Sequence, residues 1–356
     1  MSIPTLPEIT AQTITTGRLT TRVLTAGDAN GTAVLFLHGN LSSATWWEEV
    51  MVTLPAGYYA IAPDQRGYGE ADPAALIEAT QGLRDLAADA FALLDTMGIT
   101  KAHLVGSSLG GVVVWRMLEM HPERILSIMQ AAPGSPYGFG GTKDIDGTPC
   151  FDDYAGAGAG LINPAVVQAI QAGDRSLENP LGLRGALRRL VYNPPFIPAR
   201  EEELLSSSLQ LHIGAKAYPG DVAPSPNWPG FTAGLYGPNN ALSPKYAGDV
   251  SQLWRAEIKP PILWLWGDKD LAVSNAAASD PANLGALGYI PNWPGPAVYP
   301  PQPMLDQTRA VLDKYAAHGG HYEEVKLEGV GHAPYIEALE TFNKHLHTWL
   351  EKYASS

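Results

Sequence analysis

Cysteine is nearly absent from this sequence. Cys150 is the only one among 356 residues, which excludes an intramolecular disulfide, and a chain of this length can bury a large core without cross-links. Because Cys150 lies in a loop rich in Gly and Asp, with no strand–turn–helix pattern around it, we do not expect it to be a nucleophile. The N-terminus has neither a basic start nor an apolar run, so the sequence predicts no signal peptide and favours a cytoplasmic location.

Basic residues and long apolar runs are also scarce. The 23 Lys and Arg residues are outnumbered by 36 Asp and Glu residues, which gives a net charge of −13. This charge argues against a nucleic-acid partner and disfavours strongly anionic substrates. No stretch approaches the roughly 18 uninterrupted apolar residues of a membrane helix, so no membrane span is predicted. The partner we expect is a small neutral molecule, and nothing in the sequence indicates an oligomeric state.

Short apolar runs alternate with amphipathic stretches over most of the chain. Strands are predicted at 13–16, 19–25, 33–37, 58–62, 102–106, 125–130, 261–266 and 322–327, and helices at 43–54, 83–97, 109–120, 304–317 and 335–353. Continuous apolar strands that alternate with helices are typical of a parallel sheet with helices on both faces. The sequence therefore predicts an α/β fold.

An insertion interrupts this alternation. Residues 134–243 are rich in loops, and their short helical segments are predicted at 164–172, 183–191 and 200–211. Because the chain then returns to the same sheet, we interpret 134–243 as a cap over the C-terminal edge of the sheet, and residues 1–133 and 244–356 as the core domain. A further segment, 272–303, is rich in Pro, Gly and aromatic residues and leaves a strand at that edge. We expect it to lie near the functional site.

The strongest local signal is Gly106-Ser107-Ser108-Leu109-Gly110, a G-x-S-x-G sequence between a predicted strand and a predicted helix. A serine at such a sharp turn adopts a strained backbone conformation, and small neighbours allow the strand and the helix to approach each other. The helix N-terminus then presents N–H groups to a developing negative charge. We therefore predict that Ser108 is a nucleophile. Ser107 is the alternative, but the glycine spacing centres on Ser108.

Stabilising an oxyanion requires two converging N–H donors. We expect one from Leu109, the residue after the serine, and the other from Asn40, which follows His38 and Gly39 just after a buried strand. Leu41 is the alternative second donor. The side chain of His38 is expected only to support its loop.

A general base and an acid are predicted near the end of the chain. Of nine histidines, His332 is the candidate base because it follows the last strand in Gly-Val-Gly-His-Ala-Pro, whose small residues let an imidazole reach the site. The acid must follow the strand at 261–266, where Trp266-Gly267-Asp268-Lys269-Asp270 offers two aspartates. The Gly-x-x-Asp spacing selects Asp270 and leaves Asp268 as a turn-capping residue. No metal site is predicted.

These motifs resemble the α/β-hydrolase family, in particular its esterase, haloperoxidase and epoxide-hydrolase-like branch. HGN at 38–40, DQRGYG at 64–69, GSSLGG at 106–111, LWGDKD at 265–270 and GVGHAP at 329–334 occur in the order of that family, over residues 10–132 and 245–353. The resemblance implies an eight-stranded, mostly parallel sheet, a Ser–Asp–His triad and no cofactor. Epoxide hydrolases and haloalkane dehalogenases are similar but place Asp at the nucleophile position, where this sequence has Ser108. The HGGPG and GGSWG patterns of proline iminopeptidases are absent.

The sequence departs from typical members in the regions that would contact a substrate. The interval between Asp270 and His332 is longer because it contains 272–303, and the cap has no substrate-defining motif. The predicted pocket residues are Leu41, Trp46, Trp47, Trp228 and Tyr236. Asp64 and Arg66 are expected to form an ion pair with each other at the sheet edge.

The sequence thus predicts a serine hydrolase that cleaves carboxylic esters or lactones of small, neutral, fairly apolar substrates through an acyl-enzyme. Three alternatives remain open. A carbon–carbon bond hydrolase would use the same triad, and an aminopeptidase could hold a substrate amine with Glu201-Glu202-Glu203. A non-catalytic small-molecule receptor on the same fold is the third.

Overall fold

The computed structural model describes residues 3–354. Its strands are β1 (Thr10–Thr15), β2 (Thr20–Gly27), β3 (Thr32–Leu37), β4 (Tyr58–Pro63), β5 (Ala102–Ser108), β6 (Ile125–Pro133), β7 (Ile213–Gly214), β8 (Tyr218–Pro219), β9 (Val222–Pro224), β10 (Phe231–Ala233), β11 (Ile262–Gly267) and β12 (Tyr322–Leu327). Eight of these strands form one sheet in the order β1-β2-β4-β3-β5-β6-β11-β12. The pairs β1–β2 and β2–β4 are antiparallel, and the other neighbours are parallel.

Helices connect the strands and form the insertion. They are α1 (Glu48–Met51), α2 (Arg84–Thr96), α3 (Leu109–Met120), α4 (Pro164–Gln171), α5 (Leu183–Ala186), α6 (Glu201–Ser208), α7 (Pro238–Ala241), α8 (Gln252–Arg255), α9 (Pro281–Ala286), α10 (Met304–Ala317), α11 (Pro334–Glu337) and α12 (Leu339–Lys352). The helix that follows the G-x-S-x-G sequence, α3, packs against β5, β6 and α2. Within residues 3–354, none of the helices combines the length and the apolar character needed to cross a bilayer.

Parallel strands are buried here because elements pack on both faces of the sheet. Almost every residue of β3, β5 and β11 is buried, and Val34, Leu35 and Phe36 have no exposed surface. By contrast, β1 at the sheet edge carries mainly Thr and Gln and is exposed along most of its length. The predicted α/β fold with an eight-stranded, mostly parallel sheet is confirmed.

Between β6 and β11 the regular alternation of strands and helices stops. We call residues 134–243 the insertion. It contains α4 to α7 and two small two-stranded sheets, β7–β8 and β9–β10. The chain then re-enters the main sheet, where β11 lies between β6 and β12. Residues Leu187–Val191, predicted as the end of a helix, form a π-helical turn directly after α5.

The C-terminal helix predicted at 335–353 is divided into α11 and α12. Between them, Ala338 has φ −128° and ψ 44°, which is outside the helical region. This break allows α11 to pack beside the loop that follows β12. There the Glu337 carboxylate accepts hydrogen bonds from the Gly331 N–H.

The expected ion pair between Asp64 and Arg66 is wrong. Asp64 is fully buried and pairs with Arg22 at 2.9 Å, whereas Arg66 pairs with Asp89 of α2 at 2.7 Å. Asp64 also accepts a hydrogen bond from the Ala44 N–H at 2.9 Å. Its carboxylate therefore supports the loop after β3, while the Arg66 side chain reaches the helix layer.

The segment 272–303 packs against the insertion. The Tyr299 hydroxyl donates to Ala155 O at 3.0 Å, and Gln302 Nε2 donates to Gly138 O, also at 3.0 Å. Both side chains are buried, so these bonds form in the interior, where they are costly to break. The C-terminal part of the segment is therefore held by residues 138–155.

Candidate active site

The G-x-S-x-G sequence forms the turn between β5 and α3. Ser108 ends β5 with φ 53° and ψ −118°, a left-handed conformation that is strained for a residue with a side chain. Gly110 permits the turn because a methyl group there would overlap the Leu37 carbonyl oxygen. Gly106 is confined in the same way, since an added Cβ would lie 2.7 Å from Gly110 O. This close approach presents the Ser108 hydroxyl at the C-terminal edge of the sheet.

Backbone N–H groups lie on both sides of the serine. Leu109 begins α3, so its N–H has no partner within the helix. On the other side is Gly39, where an added Cβ would lie 2.9 Å from Ser108 Cβ. The Leu41 N–H donates to Asn40 Oδ1 at 3.1 Å, whereas the Asn40 N–H donates to no protein atom among residues 3–354. Of the two donors that the sequence left open, Asn40 is the one available.

His38 supports this loop through its ring. Its Nε2 accepts the Gln65 N–H at 3.0 Å, so the neutral ring carries its proton on Nδ1, which lies 2.9 Å from Gly39 O. Complete burial lowers the pKa of His38 to about 4. The imidazole is therefore neutral at physiological pH. Both of its ring nitrogens are engaged by backbone groups, those of Gln65 and Gly39.

His332 and Asp270 form a buried pair. The His332 Nδ1–H donates to Asp270 Oδ2 at 2.7 Å. The second carboxylate oxygen accepts the N–H groups of Ala272 at 2.7 Å and Val273 at 2.8 Å, which fixes the orientation of the acid. Asp268 makes a different contact, with its Oδ1 accepting the Gly329 N–H at 2.7 Å. Asp270 is thus the aspartate that contacts the histidine, and Asp268 braces the loop after β12.

The charge on His332 is set by opposing effects. Burial lowers its pKa, but attraction to the Asp270 carboxylate, the hydrogen bond between them and the charge of Glu337 raise it, and the net pKa lies above the usual 6.5. The Asp270 bond also fixes the tautomer with the proton on Nδ1, which leaves Nε2 as an acceptor. This ring can accept a proton and can hold the resulting positive charge.

Ser108 and His332 line one cavity of about 50 Å³. The cavity is lined by Gly39, Asn40, Leu41, Ser42, Trp46, Ser107, Ser108, Leu187, Val191, His332, Ala333 and Tyr335. Within the part of the chain that the structure describes, no hydrogen bond joins the Ser108 hydroxyl to the His332 ring. Such contacts are often long before substrate binds. The nucleophile candidate, the base candidate and the Asn40 loop therefore share one small, mainly apolar space.

Two of the five predicted pocket residues, Leu41 and Trp46, line this cavity, and three do not. Trp47 is fully buried and stacks on Tyr335 with 4.1 Å between ring centroids. Trp228 packs edge-on against Tyr299 at 4.8 Å. The Tyr236 ring lies under the Lys216 ammonium at 4.7 Å. These aromatic side chains belong to the core or to contacts of the insertion, so the pocket prediction is corrected for these three residues.

Sequence reasoning missed five cavity residues, one of which is Ser42 in the loop that follows Asn40. Leu187 and Val191 come from the π-helical turn of the insertion, where no motif marks them. Ala333 and Tyr335 directly follow the candidate base, and that proximity was an available signal. No residue of 272–303 lines the cavity among the residues described, because that segment packs on the insertion instead.

No cluster of three or more His, Cys, Asp or Glu side chains suited to a metal ion is found among residues 3–354. Ser108, His332 and the Asp270 that contacts His332 are the candidate reactive groups of this site. Their order along the chain is Ser108, Asp270 and His332.

Comparisons with known proteins relate this chain to hydrolases. A family model described as alpha/beta hydrolase fold matches residues 32–145. The chain is 35% identical to Epoxide hydrolase A of Mycobacterium tuberculosis over 120 residues, which is 33% of this chain and 37% of that protein. It is 30% identical over 275 residues to a 2-hydroxy-6-oxononadienedioate/2-hydroxy-6-oxononatrienedioate hydrolase of Burkholderia vietnamiensis, covering 73% of this chain and 82% of that protein.

A solved structure has a similar fold over almost the whole chain. It is a serine hydrolase from the polyaromatic hydrocarbon-degrading bacterium Cycloclasticus zankles, with a TM-score of 0.61, 17% identity and coverage of 98% of this chain and 100% of that chain. At this identity the likeness concerns the fold. Together with the Burkholderia vietnamiensis relative, which is matched over most of its length, it leads to one conclusion: this chain belongs to the α/β-hydrolase family.

Proposed function

We propose that this protein is a serine hydrolase that cleaves carboxylic esters or lactones of small, neutral, fairly apolar substrates. The observation that carries the proposal is the buried Asp270–His332 hydrogen bond of 2.7 Å, whose histidine lines the same cavity as Ser108 on its strained turn. A nucleophile, a base in the accepting tautomer and an orienting acid are the parts that acyl transfer requires.

The proposed reaction has two steps. His332 Nε2 takes the hydroxyl proton of Ser108 as Oγ attacks the carbonyl carbon, and the oxyanion accepts hydrogen bonds from the N–H groups of Leu109 and Asn40. The bond to the alcohol breaks as His332 returns the proton to the leaving oxygen. Water then gives a proton to His332 and attacks the acyl carbon. The bond between that carbon and Ser108 Oγ breaks as His332 returns the proton to Oγ, which releases the acid and restores the serine. Asp270 stays ionised and holds the ring in position.

The cavity supports a small neutral substrate. Its volume of about 50 Å³ is enough for only a few water molecules, and therefore for a short acyl or alcohol group. Among the described residues, the lining includes no Lys or Arg. Residues 134–243 contribute Leu187 and Val191 to the wall, which agrees with our interpretation of this insertion as a cap.

A carbon–carbon bond hydrolase is the second candidate because the Burkholderia vietnamiensis relative is matched over 82% of its length. The dienedioate in the name of that enzyme carries two carboxylates. A dianion would need cationic partners, and the side chains that line this cavity supply none among the described residues. The residues that line the cavity therefore favour an ester or lactone hydrolase over a carbon–carbon bond hydrolase.

The remaining alternatives are less well supported by the contacts. Glu201 pairs with Arg184 and Arg188, and Glu202 pairs with Arg175, so these carboxylates already have cationic partners inside the insertion and are poorly placed to hold the amine of an aminopeptidase substrate. An epoxide hydrolase of the related type would need a carboxylate nucleophile, and Ser108 occupies that position.

The test combines turnover with labelling. p-Nitrophenyl esters of increasing acyl length, lactones and a dienoate would be assayed with the wild type and with Ser108→Ala, for which we expect a loss of at least about a thousandfold in kcat. A fluorophosphonate probe should label the wild type and Ser107→Ala but not Ser108→Ala. Ester hydrolysis that survives in Ser108→Ala, or a label on another serine, would refute the proposal. Turnover of the dienoate alone would favour the second candidate.

A further inference from the structure

A second carboxylate besides Asp270, that of Glu337, lies near the candidate base, and its charge raises the pKa of His332. Glu337 is the last residue of α11, five positions after His332, and its side chain is partly buried. Its oxygens accept the Gly331 N–H at 3.0 and 3.1 Å and the Asn193 N–H at 2.7 Å. Glu337 therefore forms hydrogen bonds both to the loop that carries the base and to the insertion, residues 134–243, which we interpret as a cap.

Two more hydrogen bonds join the same two segments. The His332 N–H donates to Val191 O at 2.7 Å, and Asn193 Nδ2 donates to Gly329 O at 2.8 Å. At Gly331, an added Cβ would lie 2.7 Å from both Val191 O and Glu337 Oε1, so the cap residues and the base loop are in direct contact. Because Val191 also lines the cavity, the wall of the pocket and the backbone of the base are parts of one hydrogen-bonded unit.

Among the described residues, two charged groups act on the pKa of His332. Asp270 lies on the loop after β11 and Glu337 lies on α11, and both favour the protonated ring. Asp268 and Lys269 on the acid loop are 3.6 Å apart and pair with each other. On the cap side, Arg188 pairs with Glu201. Tyr335 contributes a neutral hydroxyl, because burial raises its pKa well above the usual range.

We propose that Glu337 is a positioning residue, which aligns the base loop with the cap and balances the positive charge that His332 carries during turnover. This inference rests on the proposed function, since it takes His332 as the base. Without the carboxylate, the N–H groups of Gly331 and Asn193 would lose their acceptor, and the imidazolium would lose one of its two neighbouring negative charges. Both losses act on His332 without removing any group that touches the substrate.

The experiment compares Glu337→Gln with Glu340→Gln, which removes the same charge from an exposed position at the start of α12. For Glu337→Gln we expect kcat to fall about tenfold and the acid limb of the pH–rate profile to move to lower pH, because misplacement of a catalytic group by a fraction of an ångström is costly. Glu340→Gln should match the wild type in both. If the acid limb of the pH–rate profile lies at the same pH in Glu337→Gln as in the wild type, the proposal is overturned, whether or not kcat falls.

A second variant covers the case in which Glu337→Gln does not fold. Glu337→Asp keeps the charge but shortens the side chain, so we expect kcat to fall while the acid limb stays near its wild-type position. Unchanged kcat in this variant overturns the proposal. NMR titration of the His332 ring, assigned by its loss in His332→Ala, needs no turnover. It measures the pKa of His332 directly, and this pKa should be lower in Glu337→Gln than in the wild type. The titration therefore tests the role of Glu337 even if Ser108→Ala retains activity, a result that would count only against the proposed function.

Discussion

The two sides of the cavity are held in place by different means. Ser108 is positioned by close backbone packing within the core, where Gly110 contacts the Leu37 carbonyl and Gly39 contacts the serine itself. His332 is positioned by hydrogen bonds, to Asp270 through its ring and to Val191 through its backbone. Close packing tolerates no added atom, whereas a hydrogen-bonding group can be replaced by one of the same shape. Substitution of Gly110 should therefore impair folding, whereas substitution of Asp270 by a residue of the same shape should impair chemistry.

Among the substitutions that test this comparison, we expect the largest effect from Asp270→Asn. An amide keeps the shape and can still accept the N–H groups of Ala272 and Val273, but its NH₂ group would face Nδ1 and force the imidazole into the wrong tautomer. We expect kcat to fall about 10³- to 10⁴-fold with little change in thermal unfolding. Asp268→Asn is the control and should retain activity within about threefold, since it keeps the acceptor for Gly329. Equal losses in both variants would contradict the assignment of the acid.

Gly110→Ala is the corresponding test on the nucleophile side. Its new methyl group would overlap the Leu37 carbonyl oxygen, so the helix must move away from the sheet. We expect a loss of about 3 kcal/mol in the free energy of unfolding, measured by denaturant titration. Gly17→Ala, where nothing lies within 4 Å of an added Cβ, should change stability by less than about 0.5 kcal/mol. A Gly110→Ala protein as stable as the wild type would show that packing does not fix this turn.

Trp46→Ala should change substrate preference, in addition to any change in stability. The Trp46 indole lines the cavity and is fixed by Nε1, which donates to Ser207 Oγ at 3.1 Å in the cap. Removing it enlarges the cavity, so the ratio of kcat/KM for p-nitrophenyl octanoate to that for the acetate should rise about tenfold. Trp228→Ala, which alters a tryptophan outside the cavity, should leave this ratio unchanged. The same rise in both variants would indicate a general loosening of the insertion.

The last and smallest expected effect is the pH dependence of the wild-type activity. The pKa of His332 lies above the usual 6.5, because the Asp270 and Glu337 charges outweigh burial, and only the neutral ring can accept the serine proton. Activity should therefore be full at alkaline pH and fall as pH drops through an apparent pKa above 6.5, by about tenfold per pH unit below it. The measurement is kcat/KM for a neutral ester across this range. A limb centred below 6.5 would mean that burial dominates or that another group titrates.

The comparison also explains which parts of the site could be predicted from sequence. Ser108 and Leu109 were identifiable because the turn requires glycines at fixed spacing, and Asp270 because a Gly-led turn follows a buried apolar strand. The strand and helix pattern predicted the α/β fold because buried parallel strands are continuous apolar runs, and the family resemblance implied the eight-stranded sheet that the structure has. The ion pairs were harder to predict. Arg66 and Asp64 are neighbours in the chain, yet each pairs with a residue distant in sequence.

The part of the cavity wall that comes from the insertion could not be predicted for the same reason. Leu187 and Val191 are ordinary apolar residues, and Trp228 and Tyr236 are aromatic residues in a loop-rich tract. Only the packing of the insertion determines that the first pair lines the cavity and that the second pair does not. Glu337 likewise has no distinguishing sequence context, and its role in the structure depends on the break at Ala338.

The sequence by itself determined the α/β pattern, the glycine-flanked turn at Ser108, and the positions of Asp270 and His332 after predicted strands, because these features depend on local periodicity and on glycines at defined positions. Tertiary structure alone decided the size and lining of the cavity, the partners of the buried charges, and the contact between the insertion and the base loop. The physical reason is that these features arise from contacts between segments far apart in the chain, where many residue types would satisfy the same local pattern.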